Sequence, residues 1–236
     1  MLRGSVEAAG IDVSALQAEW LLPGKRTLVP IESFKHHIHW RCSIYSRSGL
    51  AFRHNVVVWG MKFVDGHQCA IMENLGTEPF KVVEGMRVAQ YIADVRPLKH
   101  YRIVTTDTIL NDTARGLSGF GSSGLGPIAA PDAPLQLKET SIDDEYANDD
   151  EELTVYVDKS TPDMDIYYGA EPFTVQLPTG TFGLVTTAEG APWTLFAGVI
   201  DSDYRGKVAV KILKGEEDLV LGQFIGSIKV YRHGTI

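Results

Sequence analysis

Cysteine, basic charge and long apolar runs are all scarce in this chain. Two cysteines, Cys42 and Cys69, stand among 236 residues. They are too few for a disulfide framework and lack metal-site spacing, so both are expected to be core thiols in a reducing compartment. No stretch approaches the ~18 apolar residues of a membrane span, and residues 1–10 lack the apolar core of a signal peptide. An intracellular location, cytoplasmic or nuclear and away from membranes, is the expectation. Lys and Arg number 22 against 30 Asp and Glu, which excludes a general nucleic-acid binder: such a protein needs a basic face to neutralise phosphates. Long helical periodicity is missing too, so a helical bundle is excluded.

What remains is a β-rich pattern. Ile38, Trp40, Cys42 and Ile44 alternate with His37, His39, Arg41 and Ser43, and residues 207–213 read as a further strand. The 23 Gly and 11 Pro punctuate such segments at short intervals, the signature of an all-β chain folded as barrels or sandwiches. A short helix is expected only near 71–76. Residues 127–152 break the pattern, Pro/Ala-rich at first and then acidic. Positions 139–152 hold eight acidic residues and no Lys or Arg, equal to the entire net charge of −8. Such a composition buries too little apolar surface to pack and reads as a linker. The expected organisation is a domain over 1–126, a linker over 127–152 and a domain over 153–236.

Five short motifs carry the chemistry: Ala9-Gly-Ile-Asp-Val13, Ser46-Arg-Ser-Gly-Leu-Ala51, Gly85-Met-Arg-Val-Ala-Gln90, Arg115-Gly-Leu-Ser-Gly-Phe-Gly-Ser-Ser-Gly124 and Gly198-Val-Ile-Asp-Ser-Asp-Tyr-Arg-Gly206. In type and approximate spacing they resemble the first, second, fourth, fifth and third motifs of the dUTPase family. The fit is imperfect at Ile11, Met86 and Ser118, where the family commonly has Tyr, Asp and Gly. The halves also resemble one another. Thr186-Thr-Ala-Glu-Gly190 aligns with the second motif but has Ala188 and Glu189 for Arg and Ser. Gly222-Gln-Phe-Ile-Gly-Ser227 aligns with the fourth but has Phe224 and Ser227 for Arg and Gln. Lys62-Phe-Val-Asp-Gly-His-Gln68 lacks the third motif's Tyr-Arg-Gly.

The resemblance implies two dUTPase-like β-barrel or jelly-roll domains from an internal duplication, with one complete site between them. Family members otherwise build each site from three subunits. A doubled chain resembles the monomeric form known from herpesviruses and suggests a viral monomer, although there the third motif lies in the first half. The implied reaction is Mg²⁺-assisted hydrolysis of dUTP to dUMP and pyrophosphate, which limits uracil in DNA. Asp201 is the implied general base for the attacking water, and Asp12 holds Mg²⁺ through water. Arg47, Ser48, Gly49 and Gln90 grip phosphate oxygens. Arg115 reaches the γ-phosphate, while Gly119, Gly121, Ser122 and Ser123 wrap the triphosphate by backbone N–H groups. Phe120 stacks on uracil, Gly198 and Ile200 belong to the hairpin that reads the base, and Tyr204 packs beneath the deoxyribose and excludes a 2′-hydroxyl. Arg205 is either a ligand contact or a structural ion-pair partner. The fifth motif, a mobile C-terminal lid in the family, is expected to be disordered until nucleotide closes it.

Competing readings are a catalytically weak or inactive binding protein on the same scaffold, and a dCTP deaminase relative. The glycine run has no Walker Lys-Ser/Thr, which disfavours a P-loop ATPase. The histidines at 36, 37 and 39 lack an acidic third ligand, which disfavours zinc.

Overall fold

The computed structural model describes residues 5, 7–33, 42–93, 97–106, 111–120, 124–126, 152–158, 164–215 and 218–233. The Pro/Ala-rich and acidic stretch up to residue 151 and the histidines at 36, 37 and 39 lie outside them. The described first half runs β1 (Ile11–Ser14), β2 (Glu19–Leu21), β3 (Arg26–Pro30), β4 (Cys42–Ser46), α1 (Ser48–His54), β5 (Val56–Val64), β6 (His67–Asn74), β7 (Phe80–Val82), β8 (Arg87–Ala93) and β9 (Tyr101–Thr106). The second runs β10 (Leu153–Asp158), β11 (Asp165–Tyr167), β12 (Val175–Gln176), β13 (Thr181–Thr186), β14 (Trp193–Phe196), β15 (Val199–Asp201), β16 (Lys211–Lys214) and β17 (Phe224–Arg232). The chain is all-β, as its alternation and turn residues imply.

Local chemistry explains the individual elements. The β5–β6 hairpin turns at Asp65-Gly66, both with positive φ (49° and 81°), the backbone that a two-residue Asp-Gly hairpin requires. This turn occupies the Lys62–Gln68 segment. Residues 71–74, where a helix was expected, belong instead to β6, hydrogen-bonded between β3 and β5. Pairing on both edges overrides the local preference of a short Ile-Met-Glu-Asn run. The helix of the described residues is α1, inside the second motif, and Asn55 closes it in the left-handed conformation, a role that Asn tolerates well. The strand expected over 207–213 is confined to Lys211–Lys214.

One three-strand pattern occurs twice. In the first half β8 lies between β1 and β4, with Gln90 facing Asp12 on one side and Tyr45 on the other. In the second half β17 lies between β11 and β13, with Ser227 facing Asp165 and Thr186. Arg47 stands two residues past Tyr45 and Ala188 two past Thr186, so the register of the ladders repeats the alignment of the motifs.

Each half has its own core. Leu21, Val29, Ile31, Leu50 and Met72 anchor the first, and Val155, Phe173, Ile228 and Val230 the second. Two further clusters cross between halves: Ala9 and Ile92 against Phe182, Leu184 and Tyr231, and Ala51 and Val57 against Phe196 and Ala197. The chain also crosses. β9, which precedes the expected boundary at 126, pairs in parallel with β10, and Leu98 and Tyr101 pack against the second core. Apolar contact of this kind, worth about 25 cal/mol per Å² removed from water, holds the two sets of motifs against each other.

Candidate active site

Period two places Asp12. In β1, Ile11 and Val13 are buried while Asp12 and Ser14 face the half-open side, because successive side chains point to opposite faces of a strand. Gln90, across the ladder, donates its amide N–H to the Ser46 carbonyl at 3.1 Å. Arg47 follows β4 in extended backbone (φ −78°, ψ 132°) directly before α1, which sets Ser48 and Gly49 at the start of the helix.

Asp12 is the shared counter-ion of two buried arginines. Arg47 Nε lies 2.9 Å from Oδ1 and Arg87 Nη1 2.8 Å from Oδ2. Burial pushes the Arg47 guanidinium below its ordinary value, and the Asp12 charge opposes that shift. A buried cation persists only when paired in this way.

The second half contributes Asp201, at the end of β15 and opposite Phe182 of β13. Its Oδ1 accepts the Ala9 N–H at 2.7 Å, and its Oδ2 pairs with Arg115 Nη1. Asp203 Oδ1 lies 3.6 Å from the same nitrogen and, among the described residues, accepts no hydrogen bond. Burial pushes the Asp201 carboxyl above the ordinary carboxylate range. Arg115 and the Ala9 N–H pull it back, while the Asp203 charge adds to the rise.

A cavity of about 460 Å³ gathers Asp12, Arg47, Ser48, Gly49 and Gln90 from the first half's sheet and helix, Arg115 from the glycine-rich motif, and Asp201 from the second half. Two arginines and a buried carboxylate thus line one polar cavity. Five sequence-derived candidates do not line it. Tyr204 is buried, donates its hydroxyl to the Lys207 carbonyl at 3.0 Å, and meets Phe120 edge to face at 6.3 Å. Phe120 (φ +47°) also sits 4.7 Å from the Phe52 ring. Gly119 lies under the Tyr204 ring, where a β-carbon would come within 2.7 Å of it. Ile200 is core, opposite Gly183. Gly198 takes the Val185 N–H on its carbonyl at 2.9 Å and leaves no room for a β-carbon, which would stand 2.9 Å from Val185 Cβ.

Gly121, Ser122 and Ser123 lie outside the described residues. The described part of the glycine-rich segment is seated: Gly116 bridges Tyr204 and its carbonyl accepts the Arg205 N–H at 2.8 Å. Arg205 itself is a structural tie. It donates to the Ser202 and Tyr204 carbonyls at 2.7 and 2.9 Å and to Asn111 at 2.9 and 3.0 Å. Ala9, Arg87 and Asp203 were not singled out from the sequence, although all three stand within the motifs. The signal for each was position beside a named residue, and only their partners reveal what they do.

Among the described residues, no group of three or more His, Cys, Asp or Glu converges as a metal site. With two guanidiniums on its carboxylate, Asp12 does not fit direct ligation of a cation. Its place on the cavity wall fits acceptance of a hydrogen bond from water on a cation that enters with a polyphosphate, the mode Mg²⁺ prefers.

A model of the dUTPase family matches residues 1–124, just over half of the sequence. The chain belongs to the dUTPase family. Deoxyuridine 5′-triphosphate nucleotidohydrolase of Rhizobium rhizogenes is 37% identical over 129 residues, which span 50% of this chain and 80% of that protein. The enzyme of the same name from Chlamydia muridarum is 38% identical over 125 residues, 50% of this chain and 85% of its own. These sequence relatives are bacterial and lend no support to a viral origin. Among solved structures, a dUTPase from Streptococcus mutans shares 20% identity at a TM-score of 0.35, covering 39% of this chain and 81% of that one. A point mutant of the dUTPase of Staphylococcus bacteriophage 80alpha, solved with dUpNHpp, shares 17% identity at a TM-score of 0.30, covering 52% and 90%.

Proposed function

We propose that this dUTPase-family chain is a dUTP diphosphatase that hydrolyses dUTP to dUMP and pyrophosphate, and so limits uracil incorporation into DNA. The observation that carries the reading is one cavity in which the Asp201 carboxylate of the second half meets Asp12, Arg47, Gln90 and Arg115 of the first.

In the proposed reaction, Asp201 orients a water and takes its proton as the water oxygen bonds to the α-phosphorus. The bond from that phosphorus to the bridging oxygen breaks, and pyrophosphate departs with the electron pair. The Ala9 N–H on Oδ1 keeps the carboxylate preorganised, which is how a general base gains efficiency. Ser48, Gly49, Gln90 and Arg47 bind the α- and β-phosphates. Arg115 moves from Asp201 to the γ-phosphate, with backbone N–H groups of Gly119, Gly121, Ser122 and Ser123 around the chain. That movement exposes the base as substrate arrives. Asp12 would hold Mg²⁺ through water, and the cation would supply charge neutralisation to the triphosphate. Phe120 leaves its edge contact to stack on uracil, Tyr204 supports the deoxyribose, and the hairpin backbone at Gly198 and Ile200 reads the base edge.

The first half supplies four motifs and the second supplies one, which supports a monomer with one site per chain. The experiment is pyrophosphate release from dUTP, UTP, dCTP and dTTP, with Mg²⁺ or with chelator, for the parent and Asp201→Asn. Selective dUTP hydrolysis that is lost in the variant is expected. A well-folded parent that leaves dUTP intact overturns the reading.

A further inference from the structure

We infer that Arg87 is a positioning residue which fixes the exit of the glycine-rich segment, so that Phe120 is presented from a strap held at both ends, just past Arg115. The inference rests on the proposed dUTP hydrolysis only for its kinetic readout.

The entry of the strap is held by the second half. Gly116, at φ +51°, bridges Tyr204, takes the Arg205 N–H on its carbonyl, and donates its own N–H to Thr113 Oγ1 at 3.0 Å. The exit is held by the first half, and Arg87 does most of it. Three consecutive carbonyls accept from this one residue. Arg87 Nη2 donates to Gly124 at 3.1 Å and Nε to Gly126 at 2.7 Å, while the Arg87 backbone N–H donates to Leu125 at 2.9 Å. Arg47 Nη1 adds a second bond to the Gly124 carbonyl at 3.1 Å. Gly124 is left-handed, at φ +70°, where a glycine can make the bend that aims these carbonyls inward. Leu125 then packs on the first core.

Arg87 is 5% exposed and does not line the cavity, so it acts on substrate only through what it holds. Its fork suits the task, because a planar guanidinium reaches several fixed acceptors at once, whereas an ammonium does not. Asp12, at 2.8 Å, neutralises the buried charge. The family resemblance places this motif at a free C-terminus, but here the chain must continue into the second half, and an exit anchor turns a tail into a closed loop. An anchored exit raises the effective concentration of Phe120 at the site.

The test compares parent, Arg87→Met, Arg87→Lys and a chain with two glycines inserted between Gly124 and Leu125. Each is measured by hydrogen exchange at the backbone N–H groups of residues 87, 116 and 118, which donate to Leu125, Thr113 and Arg115, without nucleotide, and by dUTP kinetics. The inserted chain keeps the Arg87–Asp12 pair intact and therefore decides the matter if loss of a buried cation unfolds Arg87→Met. Expected are exchange at least tenfold faster at the backbone N–H of residue 87, which donates to Leu125, in Met, Lys and insertion forms, a dUTP KM up about tenfold, kcat within about threefold, and an unshifted acid limb of the pH profile. Folded variants with parental exchange at these residues, or with loosened exchange and parental KM, overturn the inference. If the parent itself does not hydrolyse dUTP, the functional reading fails while exchange still reports on the anchor.

Discussion

Asp201 concentrates the energetics of the site in one residue. Its pKa lies above the ordinary carboxylate value because burial outweighs the help it receives from Arg115 and Ala9. A base must be ionised, so kcat/KM should fall on acidification at a pH above the usual carboxylate range. Arg115→Ala, by removing a positive neighbour, should move that acid limb still higher; a pH–rate profile of both forms checks this. The stability sign follows. The folded protein binds the Asp201 proton more tightly than the unfolded chain, so its contribution is fully present below the ordinary carboxylate pKa and is lost as pH rises through the folded value. Asp201→Asn should therefore lower kcat by about 10²- to 10⁴-fold, the usual worth of a general base, without lowering Tm at pH 7. Loss of both activity and fold would assign Asp201 a structural role.

At the scale of elements, the Tyr204 hairpin and the glycine-rich strap fit one another with no spare room. A β-carbon at Gly119 would press on the Tyr204 ring, and one at Gly206 would collide with the Tyr204 hydroxyl. Overpacking of this kind costs typically about 1–3 kcal/mol. Gly119→Ala should express that cost in binding, with kcat/KM for dUTP about tenfold lower and Tm nearly unchanged, because the strap can give between its two anchors. Gly206→Ala should express it in Tm, since Tyr204 belongs to the second core. Kinetics and thermal melts of the two variants separate the cases. The same scale shows where local reading failed. Residues 71–74 have no private preference strong enough to resist two strand partners, whereas the Asp65-Gly66 turn and the alternation around Asp12 carry their geometry in their own residue types.

At the scale of the whole molecule, the two halves share one three-strand pattern but not its side chains. Where the first has Asp12, Arg47, Arg87 and Gln90, the second has Asp165, Ala188, Phe224 and Ser227, with Ser227 Oγ donating to Asp165 at 2.6 Å. The second pattern has the same strand pairing but no arginine at the positions of Arg47 and Arg87. One nucleotide per chain, at the mass of one chain by light scattering, is the expected stoichiometry. Mixing an Arg115→Ala chain with an Asp201→Asn chain should leave both inactive, because each chain closes its own site. Recovery of activity on mixing would show sites shared between chains.

The sequence by itself determined the all-β class, through alternation and dense turn residues, and named seven of the fifteen residues that line the cavity, because Asp12, Arg47, Gln90, Arg115 and Asp201 stand in five motifs that resemble the dUTPase family's when taken together. Only the tertiary structure decided their partners: that Asp12 neutralises two arginines, that Arg115 rests on Asp201, that Arg205 ties a hairpin, and that β9 crosses to the second half. Charge pairs, strand pairs and hydrogen bonds such as that from the Ala9 N–H to Asp201 depend on which surfaces the buried cores bring together, and no local pattern encodes that.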